Sequence, residues 1–308
     1  MSWQSTAPSA ASTRACSSAA AVDKNRTALS YCVNQVRTYD YENFVWLIQL
    51  PKETRAAIMA LRAFNIETAL VADSVKEAAL AQIRMQWWRD AVDSIYGPKP
   101  QPHPVIQTLK QVVGDQPATR YRLQRIVTAR EADVCDRQPP ASVAGLEAYG
   151  EDTAAQLLYL QMAVAGVRDS AADHACSHLG KAVAIATMLR GTTHHARRRQ
   201  SYIPVDLCAK AGVSQEDIYR GRPSDALSSA VYGVACVAKG HLDEARELRP
   251  KVPMEARPLL LPAAACGLYL DALQRAGFDP FAPALQRGGF SPLWHQLVVK
   301  WRLLRGDY

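Results

Sequence analysis

The chain has 308 residues, 48% of them hydrophobic and 21% charged, which is enough apolar material for a large core and too ordinary a balance for a disordered or fibrous protein. Its formal charge of +7 suits an anionic partner such as a diphosphate or a membrane surface, but the dense Lys/Arg tracts of a nucleic-acid binder are absent. Seven scattered cysteines, odd in number and never in a Cys-x-x-Cys, argue against a disulfide framework or a thiolate zinc site and for a reducing compartment. No stretch reaches the roughly 20 apolar residues of a spanning helix, so any membrane contact is expected from the side.

Residues 1–24 are rich in Ala, Ser and Thr, with Arg14 and Lys24 against the single acid Asp23. That bias suits an organelle transit segment, the plainer alternative being a disordered terminus. A folded domain is expected over 25–308. From Asn25, Leu29, Cys32, Val33 and Val36 fall on one helical face. Pro51 ends one helix and opens the next, and Ala56 to Ala72 is strongly helical in propensity. The pattern continues as helix over 74–96, with Ile83, Trp87, Ala91 and Ile95 at four-residue steps. That reading puts Trp87 in the core and leaves Trp88 half-exposed.

A further helix over 117–136 ends in Arg130, Glu131 and Asp133, read as a salt-bridged helix end. His174 and His178 stand four apart and, with His194 and His195, could in principle make a four-histidine zinc site; exposed helix-end histidines are commoner. Cys176 to Asp206 is the centre of the chain. Leu179, Val183 and Ala186 form one apolar line, with Ala182, Ile185 and Leu189 beside it. The run then turns cationic through Arg190, His194, His195, Arg197, Arg198 and Arg199, with no acid until Asp206. Such a cluster reads either as an anion site or as a solvated helix end that favours the C-terminal dipole. Helices are expected over 225–246, 257–275 and 292–305. In the last, Leu293, Leu297, Trp301 and Leu304 make a stripe that either closes the bundle or lies on an anionic membrane, closure being favoured. Period-two alternation is absent, so the expected fold class is all-α.

Several short motifs carry a family resemblance. Leu189-Arg190, Ala196-Arg197-Arg198, Tyr202-Ile203-Pro204-x-Asp206-Leu207 and Gly212 resemble the second signature region of the squalene/phytoene synthase family. Leu50-Pro51, Arg55-Ala56, Ala60-Leu61, Ala63-Phe64 and Trp87-Trp88-Arg89 resemble its earlier helices. The resemblance implies a single isoprenoid-synthase-like helical bundle around a central cavity. In the family, two Asp-rich motifs hold magnesium ions, and these hold an isoprenoid diphosphate. Here the first motif falls on Ala69, Leu70, Val71, Ala72 and Asp73, and the second on Gly191, Thr192, Thr193, His194 and His195. Only Asp73 survives, and Glu67 lies too far along the helix to replace the lost pair. Magnesium takes oxygen ligands in tight octahedral geometry, so neither Gly191 nor His195 is a substitute.

Arg62 to Glu67, Ala72-Asp73-Ser74-Val75 and Arg84 to Trp88 are similar to the branch of the family with degenerate Asp motifs that serves in assembly of mitochondrial respiratory complex I. That likeness implies a catalytically inactive protein with no catalytic residue and no metal. Its expected partners are complex I subunits or other assembly factors, and its place the matrix side of the inner membrane, in peripheral contact, early in building the membrane arm. Asp73, Arg190, His194, His195, Arg197, Arg198 and Tyr202 are the candidate relic of a diphosphate or anion site. No cofactor is expected and no nucleic acid. The alternatives are an active prenyltransferase, which would need magnesium, and a protein that holds an isoprenoid or lipid in the cavity.

Overall fold

The computed structural model describes residues 26–75, 77–113, 117–287 and 289–308; the transit expectation for 1–24 lies outside them. The order of elements is α1 (26–39), α2 (Tyr41–Leu47), α3 (Lys52–Ser74), α4 (Ala78–Ile95), α5 (Pro104–Val112), α6 (Pro117–Cys135) and α7 (Val143–Gly150). A π-helical turn, Glu151–Ala155, leads into α8 (Gln156–Val164), α9 (Ser170–Arg190), α10 (Thr192–Arg197), α11 (Val205–Ala211) and α12 (Gln215–Tyr219). Then come α13 (Asp225–Glu247), a short 3-10 turn (Arg257–Leu260), α14 (Pro262–Arg275) and α15 (Pro292–Arg305). There is no strand among the described residues, so the all-α expectation holds.

Local signals account for many of the helix ends. Asp169, Ser214, Ser224 and Ser291 each accept a backbone N–H in the first turn of the helix they precede, which satisfies a donor the helix itself cannot. Proline opens α5, α14 and α15, where its missing N–H costs nothing. Gly212 and Gly306 end α11 and α15 in the left-handed conformation.

The central helix is α9, packed against α13, α7, α14 and the π turn. Its buried face is made mainly of Ala and Gly with Leu179, Ile185 and Leu189 among them, and small side chains let neighbours approach closely. At Gly180 the approach is extreme: a Cβ built there would lie 2.4 Å from both Cα and N of Ala155 in the π turn. The extra residue of that turn bulges the backbone of the α7–α8 run into the space Gly180 leaves.

Three expectations need correction. The helix expected across 74–96 is broken, because Val75 is extended (φ −131°, ψ 131°) and α4 starts afresh at Ala78. Within α4 the buried line is Ala81, Met85, Trp88, Val92 and Ile95, so the tryptophans exchange roles: Trp88 is 5% exposed and Trp87 39%. Four-residue steps drift by about 40° each on a helix of 100° per residue, so a line begun at Ile83 starts outside and turns inward only by Ala91. The third correction is the apolar stripe of α15. Leu293, Leu297, Trp301 and Leu304 all face outward and are more than half exposed, and it is His295 and Val299 that enter the interior.

Candidate functional site

A cavity of about 460 Å³ opens between α3, α6, α8, α9 and α14, with the short α10 at its rim. That is within the usual range for a small-molecule site. Its deep walls are apolar and aromatic, including Ile66, Leu70, Leu157, Val183 and Tyr269. The C-terminal end of α3 and the α9–α10 junction face each other across the mouth. The two stretches on which the family's Asp-rich motifs were expected to fall, 69–73 and 191–195, therefore lie in the same place in space.

What stands there differs from a carboxylate cluster. Asp73 Oδ1 accepts from Arg198 at 2.7 Å and meets His194 Nε2 at 3.0 Å, and its backbone oxygen accepts a second bond from Arg198. Asp73 is thus spent on a tie between α3 and the end of α10. Exposed pairs of this kind add little stability, but they fix which groups face the mouth. At Gly191 the chain has no side chain, and the imidazole of His195 fills the space: a Cβ on Gly191 would lie 2.6 Å from His195 Nε2. One histidine occupies the room that an aspartate at 191 would need. Burial, then the neighbouring His194, pushes the His195 pKa down to about 4, so at neutral pH the ring is uncharged. It stands edge-on to Tyr202, 4.7 Å between centroids.

Three further carboxylates line the cavity, and each has a partner. Asp40 accepts from Arg62 at 2.7 Å, Glu42 accepts from Arg190 at 2.6 Å, and Asp133 accepts from the Tyr202 hydroxyl at 2.8 Å. Burial raises the pKa of Asp133 despite that bond, and burial then Asp133 raise that of Tyr202. For Arg190, burial opposes its charge, but Glu42 more than offsets this and holds the guanidinium above its ordinary value. Among the described residues, no three His, Cys, Asp or Glu side chains gather as a metal-holding group. A magnesium cluster needs several oxygens in tight geometry around each ion, and the residues present do not fit one.

Of the seven residues singled out from sequence, Asp73, Arg190, His194, His195 and Tyr202 line the cavity, while Arg197 and Arg198 do not. Arg197 is exposed, and Arg198 reaches the site only through Asp73. Asp133 and Arg130 do line it, and Arg130 bonds Asn65 of α3; Glu131 turns away to Arg89. The expected salt-bridged helix end is therefore split, with two of its residues in the cavity wall. Sequence reading missed Asp40 and Glu42, whose partners lie on distant helices. The four histidines do not converge. His178 meets His174 and His241, and His241 meets Glu147, on the other side of α9 from His194 and His195.

Sequence comparison identifies the architecture. The family model of squalene/phytoene synthase matches residues 36–304. The chain belongs to this family. A rat protein named "NADH dehydrogenase (ubiquinone) complex I, assembly factor 6" is 41% identical over 253 residues, covering 82% of this chain and 76% of its own. A presqualene diphosphate synthase of Sinorhizobium fredii is 26% identical over 204 residues, 65% of this chain and 71% of its own. Among solved structures, a squalene synthase of Alicyclobacillus acidocaldarius superposes with a TM-score of 0.72 at 19% identity, covering 83% of this chain and 96% of that one. The isoprenoid-synthase-like bundle expected from sequence is thus the observed fold.

Proposed function

We propose that this family member serves in the assembly of mitochondrial respiratory complex I and does so without prenyl-transfer chemistry. It acts early in building the membrane arm, from the matrix face of the inner membrane, with complex I subunits or other assembly factors as partners. The observation that carries this reading is the state of the two facing motifs. Ionising a diphosphate needs metal to neutralise the leaving charge; here His195 fills the position of one ligand and Arg198 and His194 occupy the one acid left. The similarity to proteins named as complex I assembly factors supports the role. Among the described residues no helix is long and apolar enough to cross a membrane, in keeping with peripheral attachment.

A second reading fits alongside the first. The cavity keeps its apolar volume, and the Tyr269 hydroxyl and Arg130 Nε are buried in its wall without a hydrogen-bond partner. Buried polar groups are rarely left so, and an isoprenoid or lipid with a polar end would meet both the walls and these atoms. Deleting the gene tests the assembly role: fully assembled complex I, read on native gels, should fall sharply while isoprenoid products stay unchanged. Normal complex I in the deletion strain would refute it.

A further inference from the structure

We propose that the outward face of α15 is a membrane-docking surface that lies in the interfacial layer of an anionic bilayer. It deepens the inner-membrane placement proposed above by naming the surface responsible. The helix is built inside out relative to an ordinary bundle helix: Leu293, Trp294, Leu297, Trp301 and Leu304 are each more than half exposed, opposite the buried His295 and Val299. At about 100° per residue those five side chains fall in one arc about 100° wide. Lys300 borders the arc on one side and Arg305 on the other. Five large apolar side chains on one helix face form a contiguous patch of the kind that marks an interaction site.

The chemistry selects lipid over protein. The sequence PLWHQLVVKWRLLR holds no acid, and among the described residues neither Lys300 nor Arg305 has a carboxylate partner; Arg305 lies over the Trp301 ring at 5.4 Å. Long cationic side chains flanking an apolar face let it sink while their charges stay at the headgroups. Tryptophan favours that same boundary, and Tyr41 of α2, tied to Gln296 at 2.9 Å, extends the rim. A second copy of the chain fits poorly, because a two-fold contact through this face sets Lys300 and Arg305 of both copies together with no acid between them. The next residues of α2, Glu42 and Asn43, line the cavity, so a bilayer under α15 lies one helix away from it.

Flotation of the purified full chain with phosphatidylcholine vesicles, with and without phosphatidylglycerol, tests the surface. The wild type should bind the anionic vesicles, more weakly as salt rises. Leu297→Glu with Trp301→Glu should lower that partition at least about tenfold, about 1.4 kcal/mol, at an unchanged melting temperature. Tyr232→Glu, at an exposed aromatic on α13, should leave it unchanged. Equal binding by wild type and double variant overturns the proposal, as does failure of the wild type to bind. So does a wild-type dimer that the double variant breaks without any vesicle binding, which would mark a contact between copies. Because partition is read without complex I, normal complex I in a deletion strain would sink the assembly role and leave this surface standing.

Discussion

Gly180→Ala should destabilise the protein by about 3 kcal/mol or more, the upper end of overpacking costs. The reason is where the new methyl group lands. It would sit 2.4 Å from Cα and N of Ala155, and backbone atoms cannot rotate aside as the tip of a side chain can. Either α9 retreats from the π turn, or the turn Glu151–Ala155 unwinds. Thr153 and Ala154 of that turn line the cavity, so relief of the clash also deforms the site. A loss of this size is a large share of the roughly 5–15 kcal/mol that holds a typical domain folded. Gly240→Ala is the internal control. It lies inside α13 with open space around its missing Cβ, and better helix propensity should make it neutral or stabilising by up to about 1 kcal/mol. Urea unfolding of the pair checks both, and equal stability would show that the contact with Ala155 yields freely.

Trp88→Ala should cost about 3–5 kcal/mol through lost burial and the cavity left behind. Its ring is buried edge-on against Phe64 of α3 (5.6 Å between centroids) and against His103 before α5 (5.3 Å), so it pins three elements together. Trp87→Ala removes a ring that touches Trp88 and His103 from the outside, and should cost about 1 kcal/mol, nearer to surface substitutions. In a deletion strain carrying each variant, protein abundance and complex I should fall together for Trp88→Ala and stay near normal for Trp87→Ala. The reverse order would mean that α4 packs with the opposite face inward.

The contrast between those neighbours shows where sequence stops informing. Helix ends were legible only where a strong local signal marks them: Pro292 and Gly306 bound α15 to the residue expected, whereas the break at Val75 and the 3-10 turn ahead of Pro262 were missed. The facing of α15 was not, because Val298, Val299 and Leu303 make its other side apolar as well, and one helix cannot say which arc its neighbours will cover. Position along the fold explains the site in the same way. Asp73, His194 and His195 were identified through the positions where the family's motifs were expected, and the structure does bring them together. The cationic run, read as one cluster, is dispersed because its partners come from elsewhere: Glu42 takes Arg190, Asp73 takes Arg198 and Glu216 takes Arg199. Such pairings join residues far apart in sequence and leave no periodic trace. The π turn is equally silent in sequence, since one extra residue in a helix changes no composition.

The most direct measurement is turnover: purified full chain, magnesium, and farnesyl or geranylgeranyl diphosphate. With alanine at 69, glycine at 191 and the His195 ring in the space beside it, no coupled product should form above a no-protein control. A coupled isoprenoid product that vanishes on adding a chelator would contradict the proposed absence of prenyl transfer, and would mean that the carboxylates now tied to Arg62, Arg190 and Arg198 can be released to hold metal.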